Sequence, residues 1–458
     1  MVRVAVTGAS GFVGRRVVES LLERGYTPVA LSRNPEKLPF PAGVDRRSFD
    51  PNAGPSAAAF EGVDAVIHLA GESVAGRWTA ARKRAIYDSR IGGTRCVVQS
   101  IAGCERKPGV LVSASASGYY GSRGDEPLFE TSAPGNDFLS LCADWEREAG
   151  NARARGVRVA YLRTGIVLGR GGALAQMLPI FRLGAGGPLG GGRQFVPWIH
   201  VDDLAALYIF AIENAGIDGA VNAVTPDYAT NARFSQAIGA AVRRPAIVPA
   251  PAPALRLALG EFAQALLSSQ LMIPAVAEDA GFTWRQPLLE AAVADAVGSG
   301  VTGAPNVRRF TSEQIVDAPI DDVFAFFSEA RNLEAITPEL LRFTITKAPA
   351  LMQRGAQIEY KLRLRGLNAG WKTMIARWDP PHTFVDVQLH GPYAFWQHTH
   401  TFTPLGDRVR INDEVLYALP LAPFSRLAEP LVRRDVSEIF SYRRAAIQER
   451  YPPSATVR

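Results

Sequence analysis

Short apolar runs alternate with longer amphipathic segments over the first two thirds of the chain. The apolar runs lie at 2–8, 27–33, 64–71, 109–116 and 158–169, and the first amphipathic segment lies at 14–25. This alternation is typical of repeated strand–helix–strand units around a parallel sheet. Because the runs are apolar almost throughout, helices are expected to cover both faces of that sheet. Residues 1–297 are therefore predicted to form a doubly wound α/β domain.

A period of two residues replaces this pattern in the last third of the chain. Ile358, Tyr360, Leu362 and Leu364 alternate with charged residues, as in a half-buried antiparallel strand. Further strands are expected at 307–316, 371–378, 383–389, 398–403 and 408–418, and helices near 320–333 and 422–449. Residues 306–458 are predicted to form an α+β domain. The intervening GSGVTGAP, at 298–305, has the composition of a linker.

Composition narrows the class of protein. The 458 residues are 47% hydrophobic and 21% charged, which excludes a disordered or coiled-coil chain. The net charge of +6 is scattered along the sequence, so no nucleic-acid partner is indicated. An odd number of cysteines, three, and no recognisable apolar leader favour a reducing compartment, and we expect a cytoplasmic location. No stretch has the ~20 uninterrupted apolar residues of a membrane-spanning helix.

A glycine-rich motif follows the first predicted strand. In TGASGFVG, residues 7–14, Gly8 allows a tight turn, Gly11 lets the backbone approach a pyrophosphate, and Gly14 permits close packing of helix on strand. Its position at the first strand–helix junction supports a dinucleotide site. The second strand ends at Arg33 instead of at the carboxylate expected for NAD(H), and a guanidinium suits a 2′-phosphate. NADP(H) is therefore favoured over NAD(H), with an ordinary solvated arginine as the alternative.

The blocks TGASGFVG, HLAGE with RW at 77–78, SASASGYYG, RTGIVLG and WIHVDDLA resemble the extended short-chain dehydrogenase/reductases, specifically the NAD-dependent epimerase/dehydratase subfamily of unassigned substrate. The resemblance covers about residues 1–295 and implies a Rossmann-type fold. It also implies roles in cofactor binding. The residues concerned are Gly8, Ser10, Gly11, Phe12, Val13 and Gly14 at the pyrophosphate, Arg33 at the 2′-phosphate, Asp50 at the adenine, and Leu69, Ala70 and Gly71 along the cofactor.

One feature of that superfamily is missing, namely its Tyr-x-x-x-Lys pair, in which the lysine lowers the tyrosine pKa for proton transfer. The expected location contains Phe138 and Cys142 instead. Ser115 matches the superfamily's catalytic serine, and either Ser115 or Tyr120 is a candidate proton donor for a reductase. The alternative is that the tyrosines at 119–120 only pack against the end of a strand.

Candidate substrate residues follow the ends of other predicted strands. Glu72, Arg77 and Trp78 come after the strand predicted at 64–71, where open α/β sheets bind ligands, and Trp198 follows a glycine-rich stretch at 183–192. A solvated surface is the alternative for the charged residues of this region.

The second domain resembles the START/polyketide-cyclase-like superfamily (SRPBCC), whose helix-grip fold curves a sheet around a C-terminal helix. The resemblance covers about residues 306–452 and implies an apolar cavity for a lipid, quinone or polyketide. Trp371, Trp378, Phe395 and Trp396 are candidate lining residues, although they are equally suited to a filled core.

Histidines at 390, 398 and 400 raise the question of a metal site in the same domain. A structural zinc takes four ligands and a catalytic zinc three, and neither cysteine nor a His-x-x-His spacing occurs here. The sequence therefore predicts no metal.

Two functions remain open at this point. The first is an NADP(H)-dependent oxidoreductase or epimerase-like enzyme that acts on a small hydrophobic or carbonyl substrate held or delivered by the second domain. The second is a non-catalytic NADPH-sensing protein coupled to lipid or quinone occupancy. The missing Tyr-x-x-x-Lys pair favours the sensor, whereas the retained Ser115, Tyr119 and Tyr120 favour the enzyme.

Overall fold

The computed structural model describes residues 1–299, 307–420 and 427–452. The chain divides into two compact units, Met1–Gly303 and Ala304–Arg458. Residues 300–305 of the predicted linker and residues 422–426 of the predicted terminal helix lie outside the described residues. No helix in the described ranges is long and apolar enough to cross a membrane.

A seven-stranded parallel sheet forms the centre of the first unit. The strands of this unit are β1 (Arg3–Thr7), β2 (Thr27–Ser32), β3 (Asp45–Ser48), β4 (Ala65–His68), β5 (Val110–Ala116), β6 (Pro127–Leu128), β7 (Arg158–Thr164), β8 (Ile166–Leu168), β9 (Trp198–His200), β10 (Gly219–Ala223) and β11 (Leu271–Met272). The large sheet has the order β10-β7-β5-β4-β1-β2-β3, and β6–β11 and β8–β9 form two small parallel pairs. The order runs outward in both directions from β1 and β4, so a cleft is expected at the carboxyl ends of these two strands.

Helices cover both faces of this sheet, as the apolar runs predict. They are α1 (Phe12–Glu23), α2 (Ala57–Phe60), α3 (Ala80–Ala102), α4 (Leu141–Gly150), α5 (Gly172–Arg182), α6 (Val201–Glu213), α7 (Asn231–Ala241), α8 (Ala252–Leu259), α9 (Phe262–Leu267), α10 (Ala275–Asp279) and α11 (Leu289–Val297). Val4 and Val6 face one core cluster with α1 and α6, whereas Ala5 faces another with α3. The alternation of side chains along a strand thus gives the sheet two buried faces.

The second unit contains a seven-stranded antiparallel sheet. Its strands are β12 (Val307–Val316), β13 (Thr344–Lys347), β14 (Gln357–Leu364), β15 (Leu367–Asp379), β16 (Thr383–His390), β17 (Phe395–Leu405) and β18 (Arg408–Ala418), in the order β12-β18-β17-β16-β15-β14-β13. Its helices are α12 (Ile320–Phe327), α13 (Asn332–Ala335) and α14 (Glu429–Arg450). Val436, Phe440, Arg443 and Ile447 of α14 are buried at helical spacing. The predicted helix-grip architecture is confirmed.

Candidate functional site

The glycine motif forms a turn that leaves no room for side chains. Gly8 has φ +66°, and a Cβ built there would lie 3.0 Å from the backbone of residues 69–70. A Cβ on Gly14 would lie 2.2 Å from the carbonyl oxygen of Gly8. Helix α1 begins after Gly11 without a side-chain cap, so its first N–H groups remain open to an anion.

The other motif residues surround this turn. Ser10 is exposed and its carbonyl accepts a hydrogen bond from Arg15, whereas Val13 packs against the core. The ring of Phe12 lies on a second glycine-rich segment at 169–172, because a Cβ on Gly169 would come within 2.6 Å of it. The sequence analysis did not assign that segment to the site. Its three glycines at 169, 171 and 172 were the available signal.

The predicted adenosine-side residues lie at the ends of neighbouring strands. Arg33 follows β2, is exposed, and makes no ion pair or hydrogen bond within the described part of the chain. Asp50 follows β3 and accepts a hydrogen bond from the amide of Asn52 at 3.0 Å. Leu69, Ala70 and Gly71 follow β4, on the other side of β1. Because β1–β4 adjoin in one parallel sheet, these residues share its carboxyl edge with the glycine turn.

A buried histidine stabilises the base of this turn. The Thr7 hydroxyl accepts the amide hydrogens of residues 69–70, at 3.1 and 3.2 Å, so its own proton goes to Nδ1 of His68 at 2.7 Å. His68 Nε2 then donates to the Thr94 hydroxyl at 3.0 Å. Burial lowers the pKa of His68 to about 4. A neutral imidazole therefore links β1, β4 and α3.

Ser115 does not point into an open cleft. It is buried, and its hydroxyl donates to Glu146 at 2.7 Å. The Glu146 carboxylate is held by Arg163 through two hydrogen bonds of 2.8 Å. Burial alone would lower the pKa of Arg163, but its hydrogen bonds to Glu146 and the Glu146 charge outweigh this and raise it. Ser115 therefore belongs to a buried ion-pair network.

The two adjacent tyrosines have different environments. Tyr120 is 0% exposed, and its hydroxyl receives a hydrogen bond from Arg163 and lies 2.7 Å from Asn222 Oδ1. Burial raises the pKa of Tyr120. Tyr119 is half-buried, with the Arg163 guanidinium 3.4 Å from its ring centroid, and its hydroxyl has no partner in the described ranges. Of the two hydroxyls, only that of Tyr119 is without a hydrogen-bond partner in the described ranges.

Apolar groups and one cation occupy the region where the Tyr-x-x-x-Lys pair is missing. Phe138 packs against Trp78, and burial raises the pKa of the Cys142 thiol to about 12. Arg90, on α3, lies beside Gly71, where its Cζ would be 3.7 Å from an added Cβ. Its Nη1 donates only to the carbonyls of residues 72 and 86. Arg90 was not predictable from sequence, because its place beside Gly71 depends on how α3 packs.

The four predicted substrate residues are only partly brought together. Glu72 is exposed and forms an ion pair with Arg82 at 2.8 Å, and Arg77 is also exposed. Trp78 is 7% exposed and packs between α3 and α9. Trp198 is fully buried, and its indole donates to the carbonyl of Asp227. Trp198 is thus a core residue, and we leave it out of the proposed substrate site.

The second unit contains a largely apolar cavity of about 160 Å³ between its sheet and α14. This volume resembles that of an engineered protein cavity that binds benzene. Trp371 and Trp396 line it, as predicted from sequence. The Nε1 of Trp371 is buried and has no hydrogen-bond partner within the described ranges. The sequence analysis missed Tyr360 of β14 and Arg443 of α14, which also line the cavity.

Trp378 and Phe395 do not line this cavity. Trp378 packs against Phe324 and Phe384, after a register shift in β15 between Ile375 and Arg377. Phe395 is buried one position away from Trp396, and neighbouring residues of a strand point to opposite faces. These two residues therefore pack the unit, and we leave them out of the proposed ligand site.

Polar side chains converge at one wall of the cavity. His398 and His400 of β17 lie beside Asp386 of β16 and Asp413 of β18, all on one face of the sheet. His398 Nε2 is 2.8 Å and His400 Nδ1 3.1 Å from Asp413 Oδ1. Arg443 contributes Nη2, 3.2 Å from His400 Nδ1. Burial and the neighbouring His400 lower the pKa of His398 to about 4, and Arg443 and the two histidines hold that of Asp413 well below its usual value. His390, the third predicted histidine, is exposed.

Comparison with family models divides the chain as its two units do. Residues 4–223 match the NAD dependent epimerase/dehydratase family, residues 250–296 match a domain of unknown function (DUF1731), and residues 307–447 match the polyketide cyclase / dehydrase and lipid transport family.

Curated relatives are similar to the first unit. The epimerase family protein SDR39U1 homolog, chloroplastic, of Arabidopsis thaliana is 39% identical over 288 residues, which cover 62% of this chain and 83% of that protein. The epimerase family protein YfhF of Bacillus subtilis is 36% identical over 301 residues, 65% of this chain and 99% of that protein.

A solved structure of the human epimerase family protein SDR39U1, isoform 2 with NADPH, has a TM-score of 0.57 at 34% identity and covers 65% of this chain and 99% of its own. Since the relatives exceed 30% identity over most of their length, the chain belongs to the NAD-dependent epimerase/dehydratase family of extended short-chain dehydrogenase/reductases, fused to a polyketide cyclase-like domain.

Proposed function

We propose that the first unit is an NADP(H)-dependent oxidoreductase for a small hydrophobic carbonyl compound. One observation carries the proposal: the uncapped start of α1 at the glycine turn shares a sheet edge with Arg33 at the end of β2, which has no ion pair among the residues that the structure describes. The first feature suits a pyrophosphate and the second a 2′-phosphate. The human relative crystallised with NADPH supports the choice of cofactor.

Within this proposal the bound dinucleotide supplies or accepts the hydride. Tyr119 supplies the proton to the substrate oxygen, because its hydroxyl is the one left open at the end of β5. Arg163 positions the Tyr119 ring by stacking on it. Arg90, without a carboxylate hydrogen-bonded to it in the described part of the chain, supplies a cation next to Gly71, where the missing lysine would otherwise act.

The second unit is proposed to bind the apolar substrate or a related ligand in its cavity. The unpaired Trp371 Nε1 and the polar wall at His398 and His400 favour a ligand that carries at least one oxygen atom. The family description of lipid transport supports an apolar ligand. Mass spectrometry of small molecules that copurify with the full chain identifies it.

The cofactor assignment is tested by titrating NADPH and NADH against the wild type and Arg33→Glu. We expect NADPH to bind at least about tenfold more tightly than NADH in the wild type, and the order to reverse in the variant, since a charge-assisted phosphate contact contributes about 1.5–3 kcal/mol. Arg155→Glu is the matched control. Arg155 is exposed and precedes the amino end of β7, at the opposite edge of the sheet. Equal wild-type affinities for both dinucleotides would contradict the assignment.

The NADPH-sensing alternative is favoured by the burial of Ser115 and Tyr120, since both residues retained from the catalytic motif have structural partners. It requires binding of both ligands without turnover. A broad panel of hydrophobic carbonyls and quinones separates the two functions, because only the enzyme oxidises NADPH above the background rate.

A further inference from the structure

The polar wall of the second unit's cavity has the geometry of a cation site. One ligand atom each of Asp386, His398 and His400 lies within 4.8 Å of the other two. Asp386 Oδ2 is 3.5 Å from His398 Nδ1 and 3.0 Å from His400 Nε2. If an ion lay ~2.1 Å from each atom, the angle at the ion would be about 110° for Asp386 and His398 and about 90° for Asp386 and His400. These angles are close to the tetrahedral and octahedral values, respectively.

Asp413 orients both imidazoles for this role. Its Oδ1 atom meets Nε2 of His398 and Nδ1 of His400, the nitrogens opposite those that face Asp386. If each of these nitrogens donates an N–H hydrogen bond to Asp413, the lone pairs of the two opposite nitrogens point at the carboxylate of Asp386. A carboxylate that holds the outer N–H of a ligating histidine is the usual support of a metal site.

The cluster also places more carboxylates than guanidinium groups in a mostly buried wall of the cavity. It contains two carboxylates, Asp386 and Asp413, and one guanidinium, Arg443. The side chains of Asp413, His398, His400 and Arg443 are each less than a tenth exposed. An uncompensated charge is costly at such depth.

We propose that Asp386, His398 and His400 bind one divalent transition-metal ion in the second unit. Two imidazoles and one carboxylate suit ions of the iron-to-zinc series and leave coordination positions open. Since the cluster lines the cavity, these positions are available to an oxygen atom of the bound ligand. The ion would add positive charge at the cavity wall, which favours a carbonyl, carboxylate or phenolate oxygen. This inference does not depend on the cofactor chemistry of the first unit.

The competing assignment has no metal. Arg443 Nη2 lies 3.2 Å from His400 Nδ1. If His400 Nδ1 accepts a hydrogen bond from Arg443, then His400 Nε2 carries the ring hydrogen and donates it in a hydrogen bond to Asp386. The cluster would then be an ion-pair network only. The two assignments differ in whether the purified full chain takes up a metal.

The test titrates metal-free full-length protein with Co²⁺ and Zn²⁺, following the visible Co²⁺ absorption and the melting temperature. We expect one equivalent per chain, and a loss of at least tenfold in affinity for Asp386→Asn and His400→Ala. Asp413→Asn keeps all three ligands and is expected to cost about 10–100-fold. His382→Ala and His390→Ala are matched controls, since both histidines are exposed.

Three results would overturn the proposal. They are no uptake by the wild type at millimolar metal, uptake that the control variants abolish, and uptake that Asp386→Asn leaves unchanged. Asp386→Asn preserves side-chain size at a partly exposed position, so the test remains decisive even if His400→Ala fails to fold.

Discussion

Adjacent tyrosines 119 and 120 illustrate how much the environment of a single residue decides. They follow the same strand, and their rings contact each other at 5.2 Å. Tyr120 is fixed by Asn222 and Arg163, whereas the hydroxyl of Tyr119 has no hydrogen-bond partner among the described residues. A proton donor must reach the reacting atom, so accessibility separates them.

Tyr119→Phe is expected to lower NADPH oxidation by about 10²–10⁴-fold on a substrate of the panel, with melting temperature and NADPH affinity unchanged. Tyr120→Phe removes a buried hydrogen bond and is expected to lower stability by about 1–3 kcal/mol, with less effect on turnover per folded enzyme. Steady-state kinetics and thermal melts on both variants check this. The opposite pattern would assign the proton transfer to Tyr120.

The buried His68 predicts a pH dependence of stability. Its pKa is lowered by burial to about 4, against about 6.5 in an unfolded chain, so between these values only the unfolded state binds the proton. The free energy of unfolding of the first unit is therefore expected to fall by about 3 kcal/mol as the pH falls from 6.5 to 4, because of this group.

The His68→Gln variant has no titrating group at this position. Its free energy of unfolding should therefore fall less than that of the wild type over the same pH range. All three cysteines are buried in the first unit, so labelling with a pyridyl disulfide during urea denaturation reports its unfolding alone. Parallel pH profiles of the two proteins would show that His68 is not responsible.

At the scale of elements, the junction of β1 with α1 depends on glycines for different reasons. Gly8 requires a positive φ, whereas Gly14 lies in a helix and is constrained only by the backbone of residues 8–9 at 2.2–2.9 Å. Gly92, in α3, has neither constraint, because a Cβ there would meet nothing within 4 Å.

Gly14→Ala is expected to abolish NADPH binding and to destabilise the first unit by at least about 1–3 kcal/mol, because α1 must move away from the turn. Gly92→Ala, the control, should stabilise the unit by about 0.5–1 kcal/mol. Urea denaturation with thiol labelling and NADPH titration measure both effects. Normal NADPH binding by Gly14→Ala would mean that the turn does not hold the pyrophosphate.

At the scale of the whole molecule, the two candidate sites belong to separate units. The proposed nucleotide site uses residues 8–71, and the cavity is lined by residues 326–443. Each site can therefore be blocked by substitution without changing the other.

Ile439→Trp fills part of the cavity from α14. If the cavity supplies the substrate, we expect a higher KM for an apolar carbonyl and an unchanged affinity for NADPH. If the protein is a sensor, the apolar ligand should instead change the NADPH affinity of the wild type by about 5–150-fold. The variant should lose this coupling. Isothermal titration of NADPH with and without the copurified ligand distinguishes the two.

Periodicity along the chain was enough to predict the class of both sheets and the presence of helices on both faces of the first. A strand that is apolar throughout, such as 64–71, has to be buried on both faces, as in a parallel sheet covered by helices. A strand that alternates, such as 357–364, is buried on one face only, as in an antiparallel sheet. The glycine turn was predictable for a similar local reason. Its residues are contiguous, and backbone geometry dictates their type.

Tertiary structure alone decided which side chains meet. The cluster of Asp386, His398, His400 and Asp413 comes from three strands, and only the register of β16, β17 and β18 places these residues on one face. Trp396 was separated from Phe395 by strand alternation, and Tyr119 from Tyr120 by contacts with residues far along the chain. Local sequence determines which elements form, but contacts between distant elements determine burial, and burial determines whether a side chain is structural or available for chemistry.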